Sequence, residues 1–166
     1  MKKIMVDLGK CTGCRSCQIM CALSNEGEAN YESARIRISK NDRLGLASPL
    51  PCRQCHKAPC LDACPVEAIV VDPKTGAKVI NYEDCLVCES CVEACPFGAI
   101  SVIKKNGEPK VIKCDLCNGD PQCVRHCETG AIKFMAADDL GKEKGHSIGQ
   151  TLLEVIREAK GISQGM

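Results

Sequence analysis

The apolar and polar positions of this chain twice trace a strand, a turn and a second strand. Ala68-Ile69-Val70-Val71 and Lys78-Val79-Ile80 flank Asp72-Pro73-Lys74-Thr75-Gly76, whose proline and glycine suit a hairpin turn. Ile100-Ser101-Val102-Ile103 and Val111-Ile112 flank Asn106-Gly107, the residue pair favoured by two-residue hairpins. Residues 22–51 read as a linker-like insertion in which Arg35-Ile36-Arg37-Ile38 alternates, predicting one edge strand with a solvated basic face and no assigned chemistry. Short helices are expected after Cys64-Pro65 and Cys95-Pro96, with each proline stiffening the turn beyond its cysteine. From Ser147 to Gly161 the pattern is that of an amphipathic helix. Ser147 and Gln150 form its capping box, Ile148, Leu152, Val155, Ile156 and Ala159 its stripe, and Gly161 its stop. Such a stripe ordinarily packs on its own domain; the sharper alternative is that it docks a partner or a second copy of the chain.

Composition changes this picture, because 16 of the 166 residues are cysteine. Without them the 45 % apolar content falls to about 35 %, which is lean for a globular core. There is no Trp, and only two Tyr and two Phe. Metal–thiolate bonds are therefore expected to replace missing hydrophobic burial, leaving the apo-protein largely unfolded. The N-terminus, MKKIMVDLGK, has neither the apolar region nor the cleavage site of a secretory signal, which favours metal over disulfides and a cytoplasmic location. No run approaches the roughly 20 apolar residues of a membrane span. The net charge of +1 is scattered, which gives nucleic acid no electrostatic footprint.

The cysteines fall into four groups of four. Cys11, Cys14, Cys17 and Cys21 have the spacing C-x2-C-x2-C-x3-C, and Cys85, Cys88, Cys91 and Cys95 repeat it with Pro96 added. Cys52, Cys55, Cys60 and Cys64, and then Cys114, Cys117, Cys123 and Cys127, keep the outer spacings but lengthen the middle gap. Such a run offers three thiolates to three irons of a [4Fe–4S] cubane, and the fourth iron takes a cysteine from another group, so four groups make four clusters. Zinc ribbons use two separated C-x2-C pairs, whereas here a third and a fourth cysteine follow closely in every group. His56 and His126 stand beside cysteines, yet a surface or supporting role is commoner for such residues than ligation. Lys57, Lys113 and Arg125 are read as solvated charge rather than as counter-ions that raise cluster potentials.

At these four groups the sequence resembles the four-cluster iron–sulfur subunits that accompany molybdenum or tungsten pterin enzymes, such as dimethyl sulfoxide reductase and formate dehydrogenase. The small subunits of bacterial tungsten aldehyde oxidoreductase and benzoyl-CoA reductase complexes look most similar. The resemblance implies an α+β fold of tandem bacterial-ferredoxin-like modules, with short β-hairpins and short helices around four cubane clusters and a C-terminal amphipathic helix. It implies one domain over residues 1–135, with an outer module from 1–30 and 110–135, an inner module from 50–109, and a linker and helix over 136–166. By family topology the first group pairs with the fourth and the second with the third. One cluster then takes Cys11, Cys14, Cys17 and Cys127, and its neighbour Cys114, Cys117, Cys123 and Cys21. The inner two take Cys52, Cys55, Cys60 and Cys95, and Cys85, Cys88, Cys91 and Cys64. The implied role is non-catalytic relay of single electrons to or from a catalytic oxidoreductase subunit, with a flavin subunit or ferredoxin as a further partner. Alternatives are a freely diffusing polyferredoxin, or service to a formate dehydrogenase, hydrogenase or carbon monoxide dehydrogenase; self-association through the C-terminal helix is a further option. The absence of G-x-G-x-x-G and P-loop patterns argues against bound nicotinamide or ATP.

Overall fold

The computed structural model describes residues 1–136. The proposed helix from Ser147 to Gly161 lies outside the described residues, as does almost all of the linker before it. Among the described residues the fold is a small mixed α/β arrangement of four two-stranded antiparallel ribbons and four short helices. The first ribbon joins the two ends of the described chain, β1 (Lys2–Val6) pairing with β8 (Ile132–Ala136) so that Ile4 faces Phe134. The other three are local: β2 (Arg37–Asn41) with β3 (Leu46–Leu50), β4 (Ile69–Val71) with β5 (Lys78–Ile80), and β6 (Ile100–Lys105) with β7 (Glu108–Lys113). The helices are α1 (Ser16–Glu26), α2 (Pro59–Asp62), α3 (Ser90–Glu93) and α4 (Gln122–Arg125).

The turns form for the reasons their residues suggest. Asp72 holds its loop by accepting hydrogen bonds from the backbone N–H groups of Lys74 and Thr75, at 3.2 and 3.0 Å. Asn106 and Gly107 both adopt positive φ, 54° and 88°, the twist that a tight two-residue hairpin requires. The helices, however, precede the Cys-Pro pairs instead of following them. In each group the third cysteine is the second residue of a helix: Cys17 in α1, Cys60 in α2, Cys91 in α3 and Cys123 in α4. Pro65 and Pro96 then stand past the helix end, where a proline cannot continue the hydrogen-bond ladder.

Residues 22–51 also differ from the linker expected of them. Their first part completes α1, which ends at Gly27 (φ 77°) with its N–H on the Leu23 carbonyl. The rest forms the β2–β3 hairpin, which leans on the loop of the first cysteine group. A Cβ at Gly13 would lie 2.8 Å from Cβ of Ala47 and 3.0 Å from Cε of Lys40. Nor is the basic face solvated: the Arg35 side chain is 8 % exposed and pairs with Glu26 at 3.2 Å and Asp115 at 2.7 Å. Glu26, 1 % exposed at its side chain, also receives Lys105 and Lys110, each at 2.7 Å. One buried carboxylate thus ties the end of α1 to the β6–β7 ribbon. The alternation had marked Arg35 as an outward position, but a guanidinium with two carboxylates can be buried where an unpaired one cannot.

Two cores result. Ile4, Ala22, Ala34, Ile36, Leu116 and Ile132 pack with Cys17, Cys21 and Cys123 in one. Ala58, Ile69, Ile100 and Val111 pack with Cys60 and Cys91 in the other. Between them these cores bury five of the 16 cysteines, so packing and cysteine chemistry occupy the same space.

Glu26→Gln is expected to destabilise the metal-loaded protein by about 3 kcal/mol in urea unfolding, since cations around a buried site lose their anion. Burial raises the Glu26 pKa, but the hydrogen bonds and charges of Lys105, Lys110 and Arg35 outweigh it and hold the carboxyl below its ordinary value. A lowered folded pKa contributes stability above the ordinary carboxylate range and loses it as pH falls through the folded value. The gap between wild type and Glu26→Gln therefore narrows as the medium is made acidic. Gly13→Ala, which adds both the clash and a side chain at φ 68°, is expected to cost about 1–3 kcal/mol in the same measurement and to loosen iron held by the first cysteine group.

Candidate metal centres

The cysteine loops share one backbone device. The residue immediately before the second cysteine of every group has positive φ: Gly13 at 68°, Gln54 at 47°, Val87 at 54° and Leu116 at 59°. Three of these four are not glycine, and the β-branched Val87 is especially costly in this region. Left-handed residues within such loops turn successive N–H groups toward one side and create concavities suited to anions, including sulfur clusters. The third cysteine then enters a helix, and the C-x3-C spacing carries the fourth about one turn further along.

Cysteines far apart in sequence thereby meet around shared hollows. One, with its mouth about 370 Å³, is lined by Cys52, Cys55, Cys60 and Cys95. A second, about 330 Å³, is lined by Cys64, Cys85, Cys88 and Cys91. A third, about 290 Å³, is lined by Cys21, Cys114, Cys117 and Cys123. In each, three sulfurs come from one group and the fourth from another. The remaining four are brought together as well, because Cys17 lies within electrostatic reach of Cys14, Cys11 and Cys127. Neighbouring sets are also within electrostatic reach of one another: Cys17 raises Cys123, Cys52 raises Cys114, and Cys60 raises Cys91. The four sets form a row.

Burial, followed by repulsion from neighbouring sulfurs, pushes Cys17 and Cys114 up to about 12. Burial and Cys85 push Cys91 up to about 11, and Cys123 also lies far above the ordinary thiol value through burial and its neighbours. Thiolates there need a positive partner, which iron supplies on coordination. Cys14 and Cys88, both exposed, are lowered by hydrogen bonds from Ser16 and Ser90 respectively. They lie in the first and last sets of the row. Among the described residues no three His, Cys, Asp or Glu side chains converge closely enough for a single metal ion. Four sulfurs spread around a hollow suit a polynuclear cluster, with one thiolate for each iron. Backbone N–H groups support the sulfurs: Ala68 donates to Cys64 Sγ at 3.3 Å, Ala99 to Cys95 Sγ at 3.4 Å and Arg35 to Cys21 Sγ at 3.3 Å.

The surrounding charges correct one reading and extend others. Lys113 is not solvated: it is 3 % exposed, and its ammonium donates to the carbonyls of Lys78 and Cys114. Its neighbours Val111 and Ile112 are buried too, so β7 enters the core just before Cys114. His56, Lys57 and Arg125 are exposed, Arg125 pairing with Asp120 at 2.9 Å, and the Nδ1 of exposed His126 sits 3.0 Å from the Gln122 carbonyl. Gln54, Lys78 and Asn25 drew no attention in the sequence. Gln54, 1 % exposed, donates to the Cys114 carbonyl at 2.8 Å and accepts from the Lys78 N–H at 2.9 Å, tying two cysteine loops together. Asn25 places its amide 3.7 Å from Cys21 Sγ and 4.0 Å from Cys117 Sγ. Its position one turn after Cys21 on α1 was the available clue.

Comparison with known proteins gives the same chemistry. A family described as a 4Fe-4S dicluster domain matches residues 45–137. The chain is 44 % identical over 138 residues to the aliphatic sulfonate oxidoreductase, polyferredoxin-like subunit, of Pyrococcus furiosus, covering 81 % of this chain and 78 % of that one. It is 36 % identical over 157 residues to the putative electron transport protein YsaA of Escherichia coli, covering 89 % and 96 % respectively. Among solved structures, the active site complex BamBC of benzoyl coenzyme A reductase with benzoyl-CoA aligns at a TM-score of 0.48 and 24 % identity, over 81 % of this chain and 79 % of that one. No helix among the described residues is long and apolar enough to cross a membrane. With its repeated cysteine loops and these relatives, the chain belongs to the 4Fe-4S dicluster domain family and is an iron–sulfur electron-transfer protein, not a catalyst.

Proposed function

We propose that the chain holds four [4Fe–4S] clusters and relays single electrons along them for a catalytic oxidoreductase subunit. The proposed ligand sets are Cys11, Cys14, Cys17 and Cys127; Cys114, Cys117, Cys123 and Cys21; Cys52, Cys55, Cys60 and Cys95; and Cys85, Cys88, Cys91 and Cys64. The observation that carries this reading is the lining of three hollows by four cysteines each, three from one loop and one from another. The electrostatic contact of Cys17 with Cys11, Cys14 and Cys127 supports the fourth. An outer module over 1–30 and 110–135 and an inner module over 50–109 are proposed with these sets; Cys17, Cys21 and Cys123 share one core and Cys60 and Cys91 the other, while Ala77 and Val111 cross between the two ranges.

Each cluster, when bound, takes up and gives up one electron without a bond being made or broken. The protein's own contributions are position and field. The left-handed loops aim N–H groups at the hollow, the helices fix the third sulfur of each set, and the cores keep water from that third sulfur, Cys17, Cys60, Cys91 or Cys123. Exposed Cys14 and Cys88 give the first and last sets of the row an open side, where electrons enter and leave. The partner is proposed to be a molybdenum or tungsten pterin enzyme of the aldehyde oxidoreductase type, in the cytoplasm. An oxidoreductase partner is supported by the polyferredoxin-like subunit of the Pyrococcus aliphatic sulfonate oxidoreductase, which shares most of this chain's length.

Anaerobically isolated protein is expected to contain about 16 iron atoms per chain and to give reducible EPR signals. Cys21→Ser should alter the same EPR signal as Cys114→Ser and leave untouched the signal altered by Cys11→Ser; the opposite grouping would overturn the ligand sets. Co-purification with a pterin-containing subunit supports the partner assignment, whereas a monomer in native extract refutes it in favour of a diffusing carrier.

A further inference from the structure

Lys113 is a buried cation, 3 % exposed, beside the hollow lined by Cys60. Its ammonium donates to the carbonyls of Lys78 and Cys114, and among the described residues no carboxylate pairs with it. Arg35, also buried, has two carboxylates. A buried charge without a counter-ion is expensive, and two carbonyl dipoles offset only part of that cost. The anions available to Lys113 are sulfurs. It lines the hollow of Cys52, Cys55, Cys60 and Cys95, and it precedes Cys114 in the chain and donates to the Cys114 carbonyl at 3.2 Å. Cys60 and Cys114 belong to the two middle sets of the row. The same hollow is lined by Lys78, itself 8 % exposed, while Gln54 clamps the Lys78 and Cys114 backbones that orient the ammonium.

We infer that Lys113 is a positioning residue that makes the two middle clusters easier to reduce than the two end clusters, so that an electron entering the row rests at its centre. This rests on the four-cluster reading above. A cluster gains negative charge on reduction, and a fixed cation in a water-poor seam lowers the energy of the reduced form more than solvated charge does. The first and last sets have no corresponding buried lysine in their described surroundings: Lys10 near Cys11 is exposed, and no lysine lines the hollow of Cys64, Cys85, Cys88 and Cys91. Electrons would therefore leave the centre only when an end site is drained by a partner.

The test is an EPR-monitored redox titration of the fully loaded chain. In Lys113→Gln, which keeps an N–H donor and loses the charge, the ratio of reduced to oxidised centre at a fixed potential should fall about tenfold for two of the four clusters. For a one-electron couple that is a shift of about 59 mV. The other two should stay within about twofold. Lys113→Arg keeps the charge and should hold all four near wild type, and Lys57→Gln removes only a screened surface charge and should do the same. Unchanged potentials in Lys113→Gln at full iron content, or an equal fall in all four, overturn the inference. Should that variant lose iron, wild type itself decides. The signal that appears first on reduction should be altered by Cys55→Ser and not by Cys88→Ser; the reverse overturns the inference. Wild type without reducible clusters would instead overturn the four-cluster reading, a separate and recognisable result.

Discussion

Sulfur occupies this protein's interior in the role that aliphatic side chains play elsewhere, and a buried thiol resists becoming the thiolate that iron needs. Cys17, Cys21 and Cys123 sit in one core, Cys60 and Cys91 in the other. Burial raises all five above the ordinary thiol range. Ionising them in place is favourable only if a positive partner arrives together with the loss of the proton. Folding, metal loading and deprotonation are therefore one linked process. The strained backbone belongs to the same linkage: Gln54, Val87 and Leu116 hold left-handed conformations that a free loop would relax, and ligation of the flanking cysteines is what can over-determine them.

The parts of this arrangement that were legible in the sequence are those set by local chemistry. Asp72 to Gly76 and Asn106-Gly107 announce their hairpins because turn geometry is decided by two or three residues. The spacing within each cysteine group is equally local. The closing ribbon, in which Lys2–Val6 pairs with Ile132–Ala136, was not legible, because nothing in either segment names its partner. The helices were misplaced because a four-residue helix has no room for an apolar period, and proline was read as their start when it marks their end. Burial of single charges leaves even less trace. Arg35 sits in a clean alternation and Lys113 ends a basic-looking strand, yet each is buried by partners that only the tertiary fold supplies.

Charge is distributed around the two cores in two different ways. At the outer edge of the β6–β7 ribbon, Glu26 gathers Arg35, Lys105 and Lys110, and Arg35 in turn holds Asp115, two residues before Cys117. That network sets two carboxylates against three cations, and the two lysines, partly exposed, are screened by water, so it fastens the ribbon to α1 with its charges largely paired. The backbone of the same Arg35 donates to Cys21 Sγ, so fastening and ligand support meet in one residue. At the inner edge, Lys113 has no such compensation among the described residues, and its field reaches the sulfurs undiminished by a carboxylate.

An electron-transfer protein needs no group that attacks, protonates or binds substrate; it needs its redox sites held at fixed places with unequal energies. The first requirement is met here by backbone and burial. The C-x3-C step from the third to the fourth cysteine hands the chain from one set to the next in every group, so the same helical turn that fixes one site also fixes its neighbour. A displaced helix would therefore disturb two sets at once, and all four helices, 11 residues in α1 and four in the others, carry the third cysteine as their second residue. The energies of the sites are then free to be set by what surrounds the sulfurs, a serine hydroxyl beside Cys14 and Cys88 and a buried ammonium beside Cys60 and Cys114. Position comes from the repeat, and difference comes from the residues that break it.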